Sequence, residues 1–392
     1  MFGVLGALRG AITSAVERRR YAGVYRCDPG DLDLDAHLRE AAAWLVRAQD
    51  AGTDRGVSYG AHFGGPFLPS YPETTGYIIP TFLRLARVLD DPAFRRRARE
   101  MGDWEIGVQM PCGAVMGGMV TEQPTPAVFN TGQVLLGWAA LACDAGDTRY
   151  LEAGRRAAEW LTGIQEPDGS WRAGNSRFAH PGATVYNVAA AWGLYALGDV
   201  TGDERYEQAA LRNAAFARSR QEDNGWFRDC CLSQPAQPLL HTIAYAMQGL
   251  LELGLFSRHD ELVDAARRTA DSLVGAMAAD GSIPGRLRPD FSPAVAWTCL
   301  TGSAQTSVVL SRLAAVTGHD RYRDAALRIN RYLMAHHDVR SSDPVIRGGV
   351  AGSWPVDGEY GRYMVLNWAT KFLVDALLEE REEQCARPSP SA

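Results

Sequence analysis

Glu73 stands in the run Tyr71-Pro72-Glu73-Thr74-Thr75-Gly76-Tyr77, a carboxylate between two phenols at the head of an apolar stretch. A carboxyl group placed there can pass a proton to or from a sugar, which makes Glu73 the foremost acid or base candidate. Its plainer role is a first-turn carboxylate facing a helix dipole, but its neighbours Tyr71, Thr74 and Tyr77 do not form a solvated charged face. His241 and Tyr245 are four residues apart, as are Tyr363 and Asn367, and Asn367 and Lys371, so on a helix each pair shares a face. Such pairs can abstract and return a proton beside a uronic acid carboxylate, with Asn, Arg or His neutralising that carboxylate. Glu73, His241 and Tyr363 are therefore the catalytic candidates. The competing reading for the paired residues is a satisfied polar network between buried helices.

Further polar and aromatic groups open other apolar runs: Asn130 and Gln133, Tyr186 and Asn187, Trp297 and Gln305, then Tyr360, Arg362 and Trp368. His180 lies on a loop in Phe178-Ala179-His180-Pro181. With Tyr71, Tyr77, Tyr245, Asn367 and Lys371 they form the expected substrate-binding set. Aromatic faces stack on the apolar faces of sugar rings, while amides, His and Arg hydrogen-bond hydroxyls and carboxylates. Asp290, Asp357 and Glu359 could supply a second carboxylate, although each reads first as a turn or surface residue.

What must position these groups is a repeat. Outer-helix starts recur at Asp91, Asp147, Asp203, His259 and His319, spaced by 56 to 60 residues, with an earlier copy in residues 31–49. Each start opens a helix charged on one face and apolar on the other. Between them lie six far less charged segments, 73–88, 131–145, 186–200, 241–254, 299–317 and 366–378, apolar all round and so buried all round. Gly146-Asp147, Gly202-Asp203 and Gly318-His319 stop one helix and start the next. Six buried and six amphipathic helices in alternation satisfy one another by closing into a ring. The spacing predicts an all-α fold, an (α/α)6 toroid over residues 27–380, with an extension at 1–26 and a disordered tail at 381–392. The recurring Gln49, Gln109, Gln165 and Gln221, of which Gln165 opens a Q-x-x-D-G-x-W run ending at Trp171 and Gln221 the related run Gln221-Glu222-Asp223-Asn224-Gly225-Trp226, serve the repeat rather than the chemistry. The mouth above the inner-helix N-termini is the expected site, since unpaired N–H groups converge there.

Composition narrows the partners. With 392 residues, 40 Lys+Arg against 46 Asp+Glu and a net charge of −6, the chain offers no basic track for nucleic acid. Lys371 is the only lysine, which excludes a P-loop or a Schiff-base lysine anywhere else. Seven scattered cysteines without a C-x-x-C pair fit a reducing compartment. Residues 1–16 lack the features of a signal peptide, and no apolar run has transmembrane length, so a soluble, cytoplasmic protein is expected. Asp229, Cys230, Cys231 and His241 are the nearest approach to a zinc set, but the spacing is poor, and no metal or cofactor is expected.

The segments Tyr71–Tyr77, Val128–Gln133, Trp297–Gly302 with Gln305, Gly348–Pro355 and Asn367–Phe372 resemble those of six-hairpin glycosidase-like toroids. They are more closely similar to bacterial VpsJ-like polysaccharide-biosynthesis proteins, also labelled prenyltransferase or squalene-oxidase repeats. The resemblance spans about residues 30 to 380 and implies a toroid acting in surface-glycan assembly, with an oligosaccharide or polysaccharide as partner. It does not choose among hydrolase, lyase and epimerase. Two other classes stay open: a terpenoid cyclase, which needs an aromatic and aliphatic cavity with one protonating acid, and a non-catalytic glycan-binding scaffold. Against the cyclase, Asp31-Leu32-Asp33-Leu34-Asp35 is placed to cap a helix rather than to protonate an alkene.

Overall fold

The structure is a computed structural model that describes residues 16, 17, 19–21, 23–175, 179 and 182–386. Twelve helices among them alternate between two layers. The outer helices are α1 (Leu34–Asp50), α3 (Pro92–Val108), α5 (Thr148–Gly163), α7 (Glu204–Ser219), α9 (Asp260–Ala276) and α11 (Asp320–Ala335). The inner helices are α2 (Pro72–Val88), α4 (Val128–Ala145), α6 (Val188–Thr201), α8 (Leu240–Ser257), α10 (Leu300–Thr317) and α12 (Asn367–Ala386). The ring closes where α12 meets α2: Thr81 Oγ1 donates to Asp375 over 2.8 Å, and Arg84 pairs with Glu379 at 2.7 Å. This is the (α/α)6 toroid that the sequence predicts.

Local chemistry sets the boundaries. Asp33, Asp91, Asp147 and Asp203 each accept a backbone N–H two or three residues on, capping α1, α3, α5 and α7. Gly146, Gly202 and Gly318 end α4, α6 and α10 at positive φ, where a side chain would be strained. Inner helices sit unusually close because glycines face each other. A Cβ on Gly137 would strike the carbonyl of Gly76, and one on Gly193 the carbonyl of Gly132.

The repeated glutamines are staples between hairpins. The Gln109, Gln165 and Gln221 amides donate to the carbonyls of Ala153, Ala209 and Ala265 at 2.8 to 2.9 Å, one outer helix further on. Arg156, Arg212 and Arg268 from that next helix donate back to the same amide oxygens. Trp171 is fully buried and its indole N–H reaches the Leu161 carbonyl, so the Q-x-x-D-G-x-W mark is structural.

Two short antiparallel pairings brace the mouth: β1 (Gly60–His62) with β4 (Met364–Leu366), and β2 (Thr298–Cys299) with β3 (Ser353–Trp354). The chain ends depart from expectation. Residues 381–386, read from the sequence as tail, continue α12, where Arg381 pairs with Asp35 of α1. Tyr25, assigned to an N-terminal extension, is buried and donates to the carbonyls of His336 and Gly349. Among the described residues no helix is long and apolar enough to cross a membrane.

Candidate active site

Each inner helix begins at the mouth, and in three hairpins the entering loop is fixed the same way. Thr75, Thr131 and Thr370, in the first turns of α2, α4 and α12, accept the backbone N–H groups of Val57, Val115 and Val350 at 2.9 to 3.0 Å. Each threonine also donates to a carbonyl four residues back, so loop and helix form one rigid corner. The first-turn side chains then project inward from fixed backbone.

They surround a cavity of about 240 Å³ walled by Tyr59, Tyr71, Glu73, Phe129, Asn130, Tyr186, Leu232, His241, Thr242, Tyr245, Tyr360 and Trp368. The rings interlock edge to face: Tyr59 on Trp368 at 4.6 Å between centroids, Phe129 on Tyr245 at 4.6 Å, and Phe129 on Tyr186 at 5.3 Å. Trp368 donates its indole N–H to the Tyr360 hydroxyl at 2.8 Å, which ties the wall of α12 to the loop before it.

Glu73 is half-buried beside Pro72 in the first turn of α2. The Tyr71 hydroxyl donates to its Oε2 at 2.6 Å. Burial pushes the carboxyl up to about 7, against the Tyr71 hydrogen bond, which favours the anion. Near neutral pH the group is thus divided between acid and base. Tyr71 and Tyr245 are pushed well above the ordinary phenol range by burial and then by the Glu73 charge, so both remain donors. Tyr59 rises to about 12 for the same reasons.

His241, buried in the first turn of α8, is held by Gln305 of α10: its Nδ1 lies 2.5 Å from the amide oxygen. That contact puts the ring proton on Nδ1 and leaves Nε2 as a basic atom. Burial lowers its pKa to about 4, against the Gln305 bond, so the imidazole is neutral across the physiological range. The cavity therefore combines one poised carboxyl, one neutral imidazole and several phenolic donors. Among the described wall residues none is Lys or Arg, and Glu73 is the one carboxylate.

The expected residues divide. Tyr71, Glu73, Asn130, Tyr186, His241, Tyr245, Tyr360 and Trp368 meet in the cavity, and Gln305 supports His241 from behind. Tyr77, Gln133 and Lys371, one turn deeper on their helices, line a different cavity nearer the far end of the ring. Tyr363 packs on Tyr21 and Phe63 instead, and Arg362 pairs with Glu17 at 3.0 Å, so neither is on the wall. Asn367 is fully buried, donating to the Ser58 carbonyl and to Thr74, which makes it a strut between α12 and α2. Asn187 donates to Asn175, and the Trp297 ring lies over Gly285 and Gly358. His180 lies outside the described residues. Of the possible second carboxylates, Asp290 caps Ser292 on the surface and Glu359 pairs with Arg286.

Tyr59, Phe129, Leu232 and Thr242 are wall residues that the sequence reading left out of the site. Tyr59 lies in the connection between α1 and α2, one residue before β1, and a search of the outer-to-inner loops for aromatic residues would have found it. Among the described residues no group of three or more His, Cys, Asp or Glu side chains is placed to hold a metal ion. Cys230 donates its thiol to the Thr242 carbonyl at 3.2 Å.

No protein-family model matches the chain, and no curated protein sequence matches it. Solved structures do. An unsaturated glucuronyl hydrolase specific for heparin superposes with a TM-score of 0.71 at 15% identity, covering 90% of this chain and 98% of that one. The unsaturated glucuronyl hydrolase of Bacillus sp. GL1, responsible for the degradation of glycosaminoglycan, gives 0.70 at 14%, covering 89% and 97%. The cellobiose 2-epimerase of Bacillus thermoamylovorans gives 0.72 at 11%, covering 89% and 98%. At these identities the likeness carries the fold, a six-hairpin toroid over nearly the whole chain.

Proposed function

We propose that this chain is a carbohydrate-active enzyme that moves a proton on a sugar held in the mouth of the toroid. The observation that carries the reading is the Tyr71–Glu73 pair, a carboxyl poised near neutrality inside an aromatic wall that also holds a neutral imidazole. Glu73 acts as acid or base and His241 Nε2 as the complementary base. Tyr59, Tyr186 and Tyr360, all held as neutral phenols, donate to substrate hydroxyls or to a uronate carboxylate, while Trp368 and Phe129 offer stacking faces.

Two-carboxylate glycoside hydrolysis needs a second carboxyl some 5 to 10 Å away, as a rough range, and none stands on the described wall. An acid–base pair of Glu and His instead suits epimerisation or elimination on a uronic acid-containing glycan, with hydrolysis as the alternative outcome. The toroids of the glucuronyl hydrolases and the cellobiose epimerase support a saccharide in this mouth. We place the protein in bacterial surface-polysaccharide metabolism, close to the VpsJ-like group, working in the cytoplasm beside a glycan-assembly machinery through the ring of residues 27–380.

One observation favours a second reading. Seven of the twelve wall residues are aromatic and one is a carboxyl, which is what a terpenoid cyclase would need. Protonating an alkene, however, calls for a strong acid, and a carboxyl that holds its proton up to about 7 is a weak one. The test is incubation of wild type with neutral and uronic oligosaccharides in deuterated water, read by mass spectrometry. Deuterium on carbon or an unsaturated product supports the proton-transfer reading, and cleavage with neither supports hydrolysis. Turnover of a prenyl diphosphate and of no sugar would replace the proposal with the cyclase.

A further inference from the structure

The loop between β3 and β4, residues 355–363, carries one wall residue of the mouth, and a segment outside the six hairpins grips its far side. Tyr360 faces the cavity, where its hydroxyl accepts the Trp368 indole N–H at 2.8 Å. Arg362 and Tyr363, two and three residues on, leave the wall: Arg362 pairs with Glu17 at 3.0 Å, and the Tyr363 ring lies 4.8 Å from that of Tyr21 between centroids. Tyr21 also sits edge to face with Phe63, the residue after β1, whose N–H donates to the Tyr363 carbonyl at 2.9 Å. Tyr25 stacks on the same Phe63 at 5.6 Å, and its hydroxyl accepts the N–H of Ala351, which is bridged to Val365 of β4.

Residues 355–363 form neither helix nor strand, so contacts rather than a regular ladder must place Tyr360. Tyr363 has φ of 53°, a disfavoured region for a tyrosine, and such a residue persists where its surroundings over-determine it. Here the surroundings are Tyr21 and Phe63, with Glu17 one residue back. The β1–β4 pair extends the same hold to two more wall residues. Tyr59 precedes β1, Trp368 lies two residues after β4, and their rings meet edge to face at 4.6 Å. Three of the seven wall aromatics thus hang from the element that Tyr21 and Tyr25 grip, whereas Glu73 and His241 stand apart from it on α2 and α8. We propose that Glu17, Tyr21 and Tyr25 form a brace, and that Tyr21 and Arg362 are positioning residues which hold Tyr360 and Trp368 where substrate binds. The inference rests on the saccharide reading of the mouth.

The test is the kinetics of Tyr21→Ala with uronic acid-containing oligosaccharides, together with amide hydrogen exchange over residues 356–366 of the same protein. KM should rise about two- to tenfold with kcat unchanged, because the brace holds binding groups and not the acid or the base. Exchange should quicken at the Tyr363 and Met364 amides, which donate to the carbonyls of Val356 and Gly361. Glu17→Arg and Arg362→Glu each set like charges together and should each raise KM about two- to fivefold, and the doubly exchanged protein should return toward wild type. A purely structural contact would lower the unfolding midpoint of Tyr21→Ala and leave KM in place. That result, unaltered exchange at Tyr363 and Met364, or a double exchange that rescues nothing would overturn the brace. Absence of turnover by wild type would instead overturn the saccharide reading, and the exchange rates would still decide whether Tyr21 holds the loop.

Discussion

The Tyr71 hydroxyl and the Glu73 carboxylate, two residues apart across the start of α2, meet at 2.6 Å on the wall of the mouth cavity. The helix start makes this possible. Tyr71 is extended at the N-cap, Pro72 fixes the first helical position, and the two side chains fold toward the same space. Burial raises the carboxyl and the phenol pulls it part of the way back.

Tyr71→Phe should therefore raise the Glu73 pKa further. A hydrogen bond to a charged group is worth about 1.5–3 kcal/mol, so the limb of the pH profile that reports Glu73 should move up by about one unit or more. A profile of kcat/KM against pH measures this, and a limb that stays in place would show that the phenol does not tune the acid.

In the wild type that profile should be bell-shaped. A neutral His241 base gives a rising limb near 4, and loss of the Glu73 proton gives a falling limb near 7. Gln305→Glu places an anion against the imidazole, raises its pKa and should carry the rising limb upward by about one to two units. Glu73→Gln should remove the falling limb and lower kcat about 10²- to 10⁴-fold.

Much of the ring was legible because its two helix classes differ in kind. Outer helices such as α5 carry an Asp cap and a charged face, whereas α4 and α8 are apolar around their circumference, and closure follows from that alternation. The first turns of the inner helices were legible for the same reason, which is why Glu73, Asn130, His241 and Trp368 share one cavity. Depth was not legible. Tyr77, Gln133 and Lys371 stand three or four residues further along, and at 1.5 Å per residue that displacement of about 4.5–6 Å takes them out of the mouth cavity. Tyr363 failed differently. The four-residue spacing to Asn367 predicts a shared helical face, but α12 begins at Asn367 and Tyr363 has φ of 53°, so the periodicity does not apply.

Glu105 of α3 is fully buried with neither carboxylate oxygen hydrogen-bonded, and burial holds its pKa well above the usual range. With the folded pKa raised, its contribution to stability is fully present below the unfolded pKa and is lost as pH rises through the folded one. Glu105→Met should stabilise the protein by about 1–3 kcal/mol, and the gain over wild type should grow with pH. Urea midpoints at acid and alkaline pH measure it, and an equal or lower midpoint for the variant at alkaline pH would refute the prediction.

Gln165→Ala removes an amide that donates to Gly169 and Ala209 and accepts from Arg212. A loss of about 1–3 kcal/mol in unfolding free energy is expected with kcat unchanged, since the staple lies in the outer layer. A change in kcat at constant stability would contradict its purely structural role.

The most direct test of the central claim is calorimetric titration and turnover, side by side, of wild type and Glu73→Gln with the uronic acid-containing oligosaccharides that wild type binds. The account predicts that the variant binds with nearly wild-type Kd and turns over at least 100-fold more slowly, a loss typical of removing a positioned acid or base. Wild-type turnover by Glu73→Gln would contradict it, as would binding by both proteins with no turnover by either, which is the behaviour of a scaffold.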